Sequence, residues 1–174
     1  MVETARKLLA LLCAVIALCA CNDASTPARM SPGELDALVG AWRSEVRASS
    51  GALMEMRDLE FMYVFNAGGT MTESSNYDGV PPVPPAYGVW RKTAPREFDA
   101  RYMFYVTKPP GTFEEVVKGG GWAPNGYGVL TEKITIAEDG KSYRSILVYA
   151  LFDNAGKPVE GGGEATGSGT RIGF

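Results

Sequence analysis

Glu132 has the setting that most needs explaining. In YGVLTEKITIAEDG it falls on the side of Leu130, Ile134 and Ile136, while Thr131, Lys133 and Thr135 take the other side of a period-two pattern. A carboxylate on the apolar face of a strand must be paired, hydrogen-bonded or neutral. Such a group can orient the polar part of a ligand or act as a general acid/base. It can equally pair with an Arg or Tyr in the wall, or a shifted register can turn it outward. Both readings of Glu132 stay open at the level of sequence.

The rest of the composition narrows the chemistry. The chain of 174 residues contains no histidine. That removes the commonest general base, the Ser–His and Cys–His nucleophile pairs, and imidazole metal ligands. All three cysteines, Cys13, Cys19 and Cys21, lie near the start. Catalysis would have to use Asp, Glu, Lys, Tyr or Arg, and neither a metal nor another cofactor is expected. With 17 Lys+Arg against 20 Asp+Glu the net charge is −3, which gives no basic excess for nucleic acid.

The cysteines carry an address. Arg6 and Lys7 precede an uncharged apolar run from Leu8 to Leu18, too short for the ~20 residues of a spanning helix and suited to a secretory signal. The run ends in LCAC, Leu18 to Cys21, which resembles the lipobox of bacterial lipoproteins. The resemblance implies cleavage between Ala20 and Cys21 and a lipid on the Cys21 sulfur. Cys19 stands where that family more often has Ala, Ser or Thr. The implied organisation is a signal over 1–20, a flexible tether over 21–30 and one domain over 31–174. The mature domain would then hold no thiol, which suits an oxidising envelope. The membrane is the expected partner through Cys21, at the periplasmic side of the outer membrane if the cell has one.

Beyond the tether, Ser31, Pro32 and Glu34 have the grammar of a helix start and predict one short helix before Gly40. The pattern then becomes period two. Leu59, Phe61, Tyr63 and Phe65 share a side, as do Phe98, Ala100, Tyr102, Phe104 and Val106. NAGG, EDGK and NAGK supply the positive-φ residues of tight hairpins. Twenty-one glycines, eight tyrosines and seven phenylalanines fit strands and turns. The expectation is all-β, a roughly eight-stranded antiparallel up-and-down barrel. The strands are placed at 39–48, 57–66, 69–75, 87–93, 96–107, 127–137, 142–153 and 158–172. Two stretches interrupt: YDGVPPVPPAYG, whose prolines lack ladder donors, and the long 108–126 connection, with one helical turn near 113–118. The glycines of VEGGGEATGSGT lack the Lys-Ser/Thr ending of a phosphate loop and read as the last, kinked strand.

VGAWRSEV follows the short helix. A helical turn, then Gly-x-Trp, then a barrel resembles the calycin group, which includes lipocalins, fatty-acid-binding proteins and avidins. The resemblance implies that Trp42 closes one barrel end and that Arg171, in the terminal GTRIGF, packs on it. The same Gly-x-Trp-Arg recurs at Gly88 to Arg91.

Eight strands enclose space that side chains fill or that one small ligand occupies. The candidate ligand-contacting residues are Tyr63, Phe65, Trp90, Tyr102, Phe104, Glu132 and Tyr149. Three functions are open: a lipid-anchored envelope barrel for a small apolar or amphipathic ligand, a non-metal isomerase or cyclase of the allene-oxide-cyclase type using Glu132, and a protein-interaction module or protease inhibitor.

Overall fold

The computed structural model describes residues 37–78, 83–119 and 122–174. Cys21, the signal, the tether and the start of the expected N-terminal helix lie outside these residues. Eight strands follow one another: β1 (Gly40–Ala48), β2 (Glu60–Phe65), β3 (Thr70–Ser75), β4 (Ala86–Ala94), β5 (Glu97–Lys108), β6 (Ala123–Ile136), β7 (Ser142–Phe152) and β8 (Pro158–Arg171). Each pairs antiparallel with the next, and β8 pairs with β1, so the sheet closes into an up-and-down barrel. A 3-10 turn (Ala52–Glu55) joins β1 to β2, and helix α1 (Phe113–Gly119) lies between β5 and β6.

Alternation fixes which residues face inward. Phe61, Tyr63 and Phe65 of β2 are buried, while Met62 and Val64 between them are exposed. In β7, SYRSILVYALF is apolar on both sides. The register buries Tyr143, Ser145, Leu147 and Tyr149 and leaves Ile146 and Val148 outside. A one-residue slip would exchange those two sets, so the interior decides the register.

Two strands differ from the sequence expectation at their starts. β2 begins at Glu60 rather than 57, because Asp58 has φ 52°, a left-handed conformation that ends extended pairing. β6 begins at Ala123 rather than 127, with Pro124 opposite Thr107 beside a shift in register between Tyr105 and Thr107. Proline is accommodated there because a strand end with a bulge does not need its missing donor. The three Asn/Asp-Gly hairpins share one design. In each, the glycine (Gly69, Gly140, Gly156) has φ between 66° and 81° and donates its N–H back to the residue three before it.

The barrel interior packs large side chains against glycine. A Cβ on Gly169 of β8 would lie 2.1 Å from the Tyr143 ring, and one on Gly128 of β6 would lie 2.1 Å from the Phe104 ring. The buried aromatics form a chain of edge and stacked contacts from Phe61 through Tyr63, Phe65 and Trp90 to Phe98.

Candidate functional site

The two ends of the barrel are finished differently. At one end Trp42 is fully buried and donates its indole N–H to Leu38 O at 2.9 Å. Tyr143 meets it edge-on at 5.2 Å. The Arg171 guanidinium lies 4.2 Å from the Trp42 ring centre. It also donates to the carbonyls of Ala37, Val39 and Gly140. One cation thus ties the last strand, the turn after β6 and the segment entering β1. This end is a structural plug.

The middle of the barrel holds the polar cluster that the sequence pointed to. Glu132 is 0 % exposed. Its Oε2 accepts hydrogen bonds from the Tyr63 and Tyr102 hydroxyls, both at 3.1 Å, and those hydroxyls lie 3.0 Å from each other. Burial pushes the Glu132 carboxyl up, and the nearby hydroxyls of Ser145, Tyr102 and Tyr63 pull it back in that order. Burial, reinforced by the Glu132 charge, holds both phenols well above the usual tyrosine range. Ser145 acts on Glu132 by proximity alone, since neither Glu132 Oε1 nor Ser145 Oγ meets the geometry of a hydrogen bond.

The other end is hollow. A cavity of about 230 Å³ is walled by Leu53 and Met56 around the 3-10 turn, Leu59 and Phe61, Ala86, and Phe104 to Thr107 on β5. Leu130 of β6 and Glu73 of β3 complete it, with Ser75, Tyr77, Asp78, Val83 and Pro84 along one side. Tyr77 and Tyr105 are exposed on its rim. Glu73 is 6 % exposed, and its Oε1 has no partner. Burial, then the Asp78 and Glu132 carboxylates, push the Glu73 carboxyl up to about 8. Thr107 Oγ1, on the same wall, is likewise buried without a partner. Asp78 is satisfied locally, accepting from the Ser75 N–H at 2.7 Å and the Ser75 hydroxyl at 2.9 Å.

Of the residues nominated from sequence, Phe104 lines this cavity. Tyr63, Phe65, Trp90 and Tyr102 are buried in the packed interior beside it. Trp90 donates its N–H to Asn66 O and Thr70 O. Tyr149 is occupied structurally: it donates to Ser50 O and accepts from the Leu53 N–H, pinning the 3-10 turn over β7. Glu132 touches the tyrosines and not the cavity. Glu73 went unnoticed in the sequence. Its signal was present: TMTESS buries Met71 and Glu73 by the same alternation that marked Glu132.

No known family model matches this chain, and no curated protein matches it. Among solved structures, an S-type phycobiliprotein lyase from Guillardia theta is similar at 14 % identity and a TM-score of 0.37, covering 84 % of this chain and 95 % of that one. That distance brings no property of the lyase across. Among the described residues, no group of three or more Cys, Asp or Glu side chains is placed to hold a metal.

Proposed function

We propose that this chain is a lipid-anchored protein of the cell envelope whose barrel binds a small amphipathic ligand at its open end. The observation that carries the reading is the mouth cavity, an apolar chamber with a buried, unpartnered carboxyl. Small-molecule sites combine mostly apolar walls with a few placed polar groups, and this chamber has that make-up. Its volume of about 230 Å³ suits a compact molecule or the end of a longer one. The LCAC run supports the anchor, and the Gly-x-Trp motif with Arg171 stacked on Trp42 supports the calycin likeness. The isomerase reading loses support because Glu132, its proposed base, sits behind two tyrosines with no open face.

Native mass spectrometry of the full chain, released from detergent after mild purification, tests the binding. A reproducible extra mass that leaves on denaturation is the expected result. A clean apo mass, with no uptake from a lipid and metabolite extract, would refute it. The anchor is tested separately by Cys21→Ser, which should move the protein from the detergent to the aqueous phase.

A further inference from the structure

The mouth cavity has a feature that a general apolar site does not need. Its two ionisable carboxyls, Glu73 and Asp78, are both acids, and no Lys or Arg among the described residues lines it. Around these acids stand the rings of Phe61, Tyr77, Phe104 and Tyr105. Aromatic faces and carboxylates attract the same kind of guest, an organic cation with an apolar body. A neutral lipid would leave Glu73 buried and unanswered, at the cost of an unsatisfied polar group. An anionic ligand would meet two acids and no counter-charge.

From this we infer that the ligand is a small amphipathic cation, an amine or quaternary ammonium carrying a hydrocarbon or aryl group, with Glu73 as its counter-ion. The inference rests on the mouth-cavity reading above. Asp78 is engaged by Ser75 and supplies long-range charge, whereas Glu73 lines the cavity and its buried Oε1 has no hydrogen-bond partner. Glu73 is faced by Asp78 from the turn after β3, by Glu132 from β6, and by the Tyr63 and Tyr102 phenols of β2 and β5. All of these disfavour its ionisation or leave it unassisted. The guest's charge is what stabilises the carboxylate.

The test pairs phenyltrimethylammonium with its uncharged isostere tert-butylbenzene, titrated into the full chain by calorimetry between pH 6 and pH 9. The cation should bind more tightly than the hydrocarbon at pH 9. Because its charge is permanent, its affinity should fall roughly tenfold per pH unit from pH 8 to pH 6, as Glu73 takes up a proton. Glu73→Gln should reverse the preference, taking the hydrocarbon and losing the cation. Equal or tighter binding of tert-butylbenzene by the unaltered chain at pH 9, or a flat pH profile for the cation, overturns the cation assignment and leaves the apolar cavity standing. Binding of neither probe overturns both. The pH profile of the unaltered chain decides the matter even if the Gln variant fails to fold.

Discussion

Glu73→Gln should remove a loss of stability that the unaltered chain suffers between acid and neutral pH, and the size of that difference in slope follows from the carboxyl's position. Its pKa is pushed from 4.5 up to about 8, chiefly by burial. Below pH 4.5 the folded and unfolded chains both hold the proton, and the group contributes nothing to the pH dependence. Between pH 4.5 and 8 the unfolded chain has released the proton and the folded chain has not. Stability therefore falls by about 1.4 kcal/mol for each pH unit across that window and levels off above it. The accumulated loss is on the order of 3 kcal/mol at pH 7 and about 5 kcal/mol at pH 8. Gln has no proton to release, so the variant lacks this slope. The cost of burying an amide in its place is independent of pH and shifts the whole curve without tilting it. Urea denaturation of both chains at half-unit steps from pH 5 to pH 9 gives the difference directly. Parallel stability curves would show that Glu73 is ionised in the folded protein and would refute the reasoning.

Arg171→Leu should destabilise by about 3 kcal/mol, since three backbone carbonyls and the Trp42 ring lose their cation; chemical denaturation measures it. Gly169→Ala should cost about 1–3 kcal/mol by driving the Tyr143 ring off its site, read by the same assay. Ala86→Leu should fill the mouth cavity and abolish uptake of tert-butylbenzene while the barrel still melts cooperatively. Glu132→Gln should leave tert-butylbenzene binding unchanged, because Glu132 does not line the cavity, and should tighten the cation near neutral pH, because Glu73 loses a repelling carboxylate; calorimetry with both probes checks it.

The barrel was legible because its rules are local. Alternation in DLEFMYVF and EFDARYMFYV, and glycine at the left-handed hairpin position, set most strand bounds to within a residue or two. Where the bounds differ, one backbone feature is responsible: Asp58 at positive φ or Pro124 beside a bulge. The site was less legible because it is not local. Glu132 and Glu73 present the same pattern, a single acid on an apolar face, and alternation alone cannot tell which lies behind tyrosines and which opens on a cavity. That depends on how far each strand extends toward the mouth, and so on the register of β2, β3, β5 and β6 together. The nominated aromatic residues lie inside, but alternation does not show that Tyr63 and Tyr102 are spent on Glu132 and Tyr149 on the 3-10 turn.

The pairing of β8 with β1 also sets an order of events. Trp42 and Arg171 meet across almost the whole length of the domain. Every other strand pair joins sequence neighbours and can zip locally, but this seam must close the longest loop in the barrel. Until β8 is made, β1 has an unpaired edge and Trp42 has no lid. Closure is therefore the step expected to be slow and late in folding, and until it happens the hydrophobic interior stays open. A variant weakened only at the seam should form its hairpins at normal speed and stall as an open sheet.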